Sequence, residues 1–141
     1  MIKNTANILM LPGDGVGPDV VKSIQELINV MDQFTQYSFS IEEELIGGAS
    51  YDQYGLPITD KVLEKAASVD AVILGSVGGP EYDTLPFEKK PERGLLKLRK
   101  ELDLYANIRP AKVFNALKEA SSLKSDIIKG MDIIVLRELT G

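Results

Sequence analysis

With 141 residues, 44% of them hydrophobic, and a mean hydropathy of -0.02, the chain can bury one domain core, which excludes a disordered tail. Its 16 basic and 21 acidic residues leave a net charge of -5, and no Lys/Arg stripe is present to hold a phosphate backbone, so nucleic acid is excluded as a partner. Cysteine and histidine are both absent, which removes disulfides, thiolate chemistry, zinc sites and histidine-based triads and leaves only hard oxygen ligands for a metal.

The opening MIKNTANILMLPGDG breaks at Pro12-Gly13 before a signal-peptide core can form, and no stretch of about 18 apolar residues follows. The expectation is a cytoplasmic protein with no membrane contact. Ala6 to Leu11 (ANILML) reads as a buried strand leaving its sheet through a glycine-rich turn. Pro18 suits a first helical residue and Asp19 the positive helix start. Val20, Val21, Ile24, Leu27, Ile28 and Met31 then recur at helical spacing, as an amphipathic helix packed on a sheet requires. Phe39, Ile41 and Leu45 alternate with polar residues, giving a second strand that ends at Gly47-Gly48. Thr59 can cap a helix running through Ala67, and Val69 to Leu74 is a third strand. This β-α-β-α-β alternation predicts an α/β sheet with helices on its faces and ligands at the carboxyl ends of its strands.

The rhythm then changes. GSVGGPEYDTLPFEKKPERG spans about twenty residues with little periodicity, and loops of that length are usually functional. Leu95 to Leu102 resumes as a helix, LYANIRP is an extended piece stopped by Pro110, and Met131 to Glu138 is a further strand. The sequence stops at the turn dipeptide Thr140-Gly141, one step after that strand, as part of a larger sheet would.

Three features bear on chemistry. The turn Gly13-Asp14-Gly15-Val16-Gly17-Pro18 lacks the third glycine of a dinucleotide fingerprint, Pro18 standing in its place. It is open to two readings: an anion seat at a positive helix end, or a tight strand-to-helix turn. Arg99, Arg109 and Arg137 all sit in apolar settings. Converging on one cleft, their guanidinium forks would suit a dicarboxylate; separately, each is an ordinary surface ion-pair partner. Leu95-Leu96, without context, is core packing.

Taken together, LPGDGVGPDV, GSVGGPEYDTLPFEKKPERGLLKLRKELDLYANIRPAK and the terminal LRELTG resemble the isocitrate/isopropylmalate family of β-decarboxylating dehydrogenases, over essentially the whole chain. Within that family they resemble the branch that serves leucine biosynthesis. The resemblance implies an α/β fold, with the family's mixed sheet and flanking helices, incomplete here as the amino-terminal part of a two-domain enzyme. Residues 1–100 would belong to the cofactor-binding domain, and 101–141 would open the second, substrate and dimerisation, domain. It also implies that Arg99, Arg109 and Arg137 bind the carboxylates and hydroxyl of a malate core, and that Leu95 and Leu96 touch an isopropyl group. In relatives that handle isocitrate this helix instead offers polar residues to a third carboxylate, so the leucine pair favours 3-isopropylmalate as the small-molecule substrate. Glu92 would lie between that side chain and the nicotinamide. The stretch Gly79-Pro80-Glu81-Tyr82-Asp83-Thr84-Leu85-Pro86-Phe87-Glu88-Lys89-Lys90-Pro91-Glu92 would border NAD, with Glu81 and Tyr82 standing where many members carry Lys and Trp.

In such enzymes Mg2+ or Mn2+ and a lysine-tyrosine pair polarise and deprotonate the substrate C2 hydroxyl, hydride passes to NAD, and the β-keto acid loses carbon dioxide. The tyrosine, the lysine, the metal-binding aspartates and most of the adenosine site are expected after Gly141, so neither a catalytic base nor a metal ligand is expected in this chain. The expectation is a fragment inactive alone, poorly soluble or dependent on a partner, from an enzyme that is a homodimer when full-length. A sibling oxidising tartrate or homoisocitrate is an alternative, as is a shortened product that binds an anion or a partner without redox chemistry.

Overall fold

The run ANILML forms the middle of strand β1 (Asn4–Gly13). Its lack of alternation is that of a strand covered on both faces: Leu9 and Leu11 enter one core cluster, Ile8 and Met10 the other. β1 is the centre of a three-stranded parallel sheet, between β2 (Tyr37–Glu43) and β3 (Ala71–Ser76), with Ile8 opposite Ile41 on one side and Leu11 opposite Leu74 on the other. This computed structural model describes residues 4–139, so the Thr140-Gly141 turn lies outside the described residues. The chain divides after Leu102 into two units.

In the first unit, helix α1 (Gly17–Phe34) covers the Ile8–Met10 face through Val21, Ile24 and Ile28. Pro18 is its second helical residue rather than its first. Val20, Leu27 and Met31, expected against the sheet, are exposed at 43%, 58% and 38%. Adjacent helical positions diverge by about 100°, and the sheet covers only the Val21–Ile24–Ile28 line. Helix α3 (Asp60–Ser68) covers the other face with Val62, Leu63 and Ala66. Its cap is as expected: Thr59 Oγ1 accepts from the Val62 amide at 3.4 Å. Helix α4 (Glu92–Glu101) adds Leu98 to the same cluster, beside Ile46 and Ile58. β2 ends at Glu43, earlier than expected, and Gly47-Gly48 begins an unexpected short helix, α2 (Gly48–Tyr54). β3 runs two residues later than the sequence reading placed it.

The second unit is an antiparallel ribbon of β4 (Ala106–Lys112) and β5 (Asp132–Glu138), joined through a 3-10 turn at Asn115–Ala120 and a single helical turn, α5 (Ser125–Ile128). Pro110 does not stop β4. It lies within the strand opposite Ile134, a position open to it because each strand of a two-stranded ribbon has one free edge, where a missing N–H costs no ladder bond.

Candidate functional site

The carboxyl ends of β1 and β3 meet at Asp14, which is 6% exposed. Its Oδ2 accepts from the amides of Gly48 and Gly78, and its Oδ1 from that of Ala49, all at 2.8 Å. Its own amide donates to the Ser76 carbonyl, and its carbonyl accepts from Ser76 Oγ, both at 2.6 Å, and from Gly17 N at 2.9 Å. Gly13, at φ +72°, admits no side chain here, because a Cβ would collide with the Ser76 carbonyl. The glycine-rich turn is therefore a close-packed junction centred on a carboxylate of the chain itself. That carboxylate occupies the positive end of α2, satisfying two of the amides a helix start leaves free. The role of Asp14 was not legible locally, since its partners lie 34 to 64 residues away.

From Gly78 the chain enters the long loop, which contains 3-10 turns at Pro80–Tyr82 and Phe87–Lys89, neither with a buried residue. The Tyr82 ring lies where a Cβ on Gly48 would fall, and its hydroxyl donates to Asp52 Oδ2 at 2.8 Å. The Tyr82 hydroxyl is pushed up to about 12, first by that bond and then by burial. Arg93 stacks on the Phe87 ring at 4.8 Å, and the Glu92 carboxylate lies against Gly78. The loop is thus folded back on its own two ends.

On α4, Glu92, Leu95, Leu96 and Arg99 fall at i, i+3, i+4 and i+7, which places them on one stripe. Gly94 and Leu98 are buried on another side of the helix. Leu95, next to the core side, is half-buried, whereas Leu96 is 47% exposed and borders an open cleft of about 590 Å³ with Leu56, Pro57, Ile58 and Lys97. The core-packing reading of Leu95-Leu96 thus holds only in part for Leu95 and not for Leu96.

In the ribbon, Arg137 pairs with Asn107, and Arg109 lies two residues further along β4, so both arginines are on the same face as diagonal neighbours. Both are exposed. Asn107 Oδ1 accepts from Arg109 Nε at 2.8 Å, holding the guanidinium plane through Nε while the terminal pair keeps its fork. Asn107 was not singled out from sequence, although its place two residues before an arginine on a strand is a signal for shared orientation. The structure brings Arg109 and Arg137 together, while Arg99 belongs to the first unit.

A model of the isocitrate/isopropylmalate dehydrogenase family matches residues 7–141. The chain belongs to that family. It is 53% identical over 134 residues to a 3-isopropylmalate dehydrogenase of Cereibacter sphaeroides, covering 95% of this chain and 36% of that protein. A 3-isopropylmalate dehydrogenase of Pelagibacter ubique is 54% identical with the same coverage. The crystal structure of an apo β-decarboxylating dehydrogenase from Thermococcus kodakarensis superposes with a TM-score of 0.69 at 27% identity, over 96% of this chain and 34% of that one. The chain thus spans about a third of the length of the curated relatives it matches.

The family implies a dinucleotide and a divalent metal. The long loop fits a bordering role for the dinucleotide, since its two 3-10 turns bury none of their residues. Among the described residues no group of three or more acidic side chains is placed to hold a metal ion, so the residues present do not fit a metal cage. The cluster of opposite charges on the first unit has a different character. Lys65 Nζ bridges Glu42 at 2.6 Å and Glu44 at 2.8 Å, and Lys61 reaches Glu44 at 3.2 Å. The Lys65 hydrogen bond holds the Glu44 carboxyl below its ordinary 4.5 against the opposing effect of burial. Donating hydrogen bonds to Glu42, and then to Glu44, raises Lys65 above 10.5. This is an ion-pair network between α3 and the end of β2 together with the residue that follows it. No helix among the described residues is long and apolar enough to cross a membrane.

Proposed function

We propose that this chain is the amino-terminal portion of a 3-isopropylmalate dehydrogenase of leucine biosynthesis, an enzyme that oxidises and decarboxylates (2R,3S)-3-isopropylmalate to 4-methyl-2-oxopentanoate. The observation that carries the reading is the stripe on α4, where an exposed leucine and a half-buried one stand between a carboxylate and a guanidinium. An alkyl group needs apolar surface free of water, and the malate carboxylates need cationic forks. Leu95 and Leu96 take the isopropyl group, and Arg99, Arg109 and Arg137 bind the carboxylates and hydroxyl of the malate core, with Asn107 setting the plane of Arg109. Glu92 faces the cofactor side of that stripe, and the loop from Gly79 to Glu92 borders NAD.

NAD, when bound, supplies the hydride acceptor. The arginines lower the energy of negative charge as it grows on the oxygen of the oxidised carbon and, after decarboxylation, on the enolate. Residues 1–100 belong to the cofactor-binding domain and the remainder to the second domain. The Mg2+ or Mn2+ ligands and the catalytic base are supplied by sequence other than these 141 residues. The complete protein acts in the cytoplasm as a homodimer on a small molecule, without nucleic acid or membrane.

The test is NADH formation by the complete gene product with 3-isopropylmalate, tartrate and homoisocitrate, each in the presence of Mg2+ or Mn2+. Turnover with a kcat/KM for 3-isopropylmalate at least tenfold above the others is the expected result. Preference for either other acid, or no turnover of any, overturns the proposal.

A further inference from the structure

The long loop is held at its first half by groups with no part in the core of the sheet. Gly78 donates to Asp14, whose other two amide partners begin α2. Four residues on, the Tyr82 ring lies against Gly48, the first residue of α2, in space that any side chain there would fill, and the Tyr82 hydroxyl donates to Asp52 on the same helix at 2.8 Å. Further along, Lys89 Nζ sits 5.9 Å above the ring of Tyr51, again on α2. Two points of the loop, Tyr82 and Lys89, thus meet one seven-residue helix, and the start of that helix and the start of the loop are both tied to Asp14.

We propose that α2 is a docking platform for the cofactor loop and that the Tyr82–Asp52 hydrogen bond is the latch that sets the loop's position, making Tyr82 and Asp52 positioning residues for dinucleotide binding. This rests on the reading of Gly79 to Glu92 as the stretch that borders NAD. Between the latch and the start of α4, residues 83–91 contain two prolines and two 3-10 bonds, with Pro91 their one buried residue, so apart from the Lys89–Tyr51 and Phe87–Arg93 contacts their position follows from where Tyr82 is held. Donation to Asp52, then burial, push the phenol up from its ordinary value, so it remains a hydrogen-bond donor at neutral pH. The latch acts on cofactor affinity and leaves the chemical step to other groups.

The experiment compares Tyr82→Phe, Asp52→Ala, Asp52→Asn and the double variant Tyr82→Phe/Asp52→Ala in the complete enzyme, by steady-state kinetics and by hydrogen–deuterium exchange of the loop. A hydrogen bond to a charged acceptor at a partly exposed site corresponds to a change of about threefold to tenfold. Tyr82→Phe and Asp52→Ala are expected to raise KM for NAD by that factor, with kcat and KM for the malate substrate changing less than about twofold. The double variant is expected to be no worse than either single one, and Asp52→Asn, which keeps an acceptor, to stay near wild type. Exchange at residues 80–90 is expected to quicken in Tyr82→Phe while that of β1 does not. Unchanged loop exchange overturns the latch whatever the enzyme's substrate. Quickened exchange with an unchanged KM for NAD overturns the cofactor role and leaves the loop as mere structure. Absence of any NAD-dependent activity in wild type, with the exchange result as expected, refutes the proposed function instead.

Discussion

Replacing Asp14 tests the account of the site most directly, because its side chain joins three segments distant in sequence. Three backbone amides lie 2.8 Å from its two oxygens, and the residue is almost fully buried. Asp14→Ala leaves all three donors without this acceptor. A hydrogen bond to a charged group contributes about 1.5–3 kcal/mol, and the sum is discounted because the vacated space admits water, so the expected loss is roughly 3–6 kcal/mol. Asp14→Asn is nearly isosteric and separates charge and acceptor from packing. With its one oxygen turned to Gly48 and Gly78, its NH2 faces the Ala49 N–H, donor against donor, so one of three bonds is lost and the cost is about 1.5–3 kcal/mol. Urea unfolding of the complete protein, with midpoints compared at constant slope, reads both values. The expected order is wild type above Asp14→Asn above Asp14→Ala, with amide exchange at Gly48, Ala49 and Gly78 rising in step. An Asp14→Ala protein within about 1 kcal/mol of wild type would refute the reasoning, because depriving one buried and two half-buried amides of a charged acceptor costs more than that.

The charge network between β2 and α3 predicts a pH signature. Because Glu44 is lowered in the fold, its contribution is present above the ordinary 4.5 and is lost as pH falls through the folded value; that of Lys65, which is raised, is present below 10.5 and lost above it. Lys65→Met is therefore expected to be less stable than wild type near neutrality, with the gap closing in acid denaturation below about pH 4.5, and a gap independent of pH would exclude this network as its cause. On α4, Leu98→Ala removes a side chain that is 4% exposed and is expected to cost about 2–5 kcal/mol of stability with little effect on substrate preference. Leu96→Ala, at 47% exposure, is expected to be nearly neutral for stability but to lower kcat/KM for 3-isopropylmalate about tenfold or more relative to malate; equal losses on both acids would remove Leu96 from the alkyl contact. Arg109→Lys replaces a fork by a point charge and is expected to reduce kcat/KM by roughly two orders of magnitude at unchanged thermal midpoint, while an effect below threefold would place Arg109 outside the carboxylate site.

What could be seen in the sequence was local. The continuous run of β1, the cap at Thr59 and the apolar spacing of α3 and α4 are encoded within a few residues of where they act. The sequence alone could not divide the apolar band of α1. Val20 and Val21 are equally apolar, and only the width of the sheet beneath decides that one is exposed and the other buried. Pro110 misled for a related reason. A proline stops a strand that has neighbours on both sides, and the number of neighbours is a property of the ribbon, which local sequence does not record. Helix α2, GASYDQY, has no apolar period, and its first turn is stabilised by a carboxylate 34 residues away. No window-based reading contains that interaction.

The same division of local from distant explains why the candidate site was only partly visible. On α4 the spacing of Glu92, Leu95, Leu96 and Arg99 is sufficient to put them on one stripe, since a helix carries its own geometry. Arg109 and Arg137 have no such internal ruler. They become neighbours only through the register that sets Asn107 opposite Arg137, a pairing across a connection of nineteen residues. One-residue slippage would move one arginine to the other face. The residues that fix the register and the plane, Asn107 among them, therefore govern the arginine pair as much as the arginines do. In the first unit Asp14 plays the corresponding part, fixing through its bonds to the amides of Gly48 and Gly78 where the loop begins.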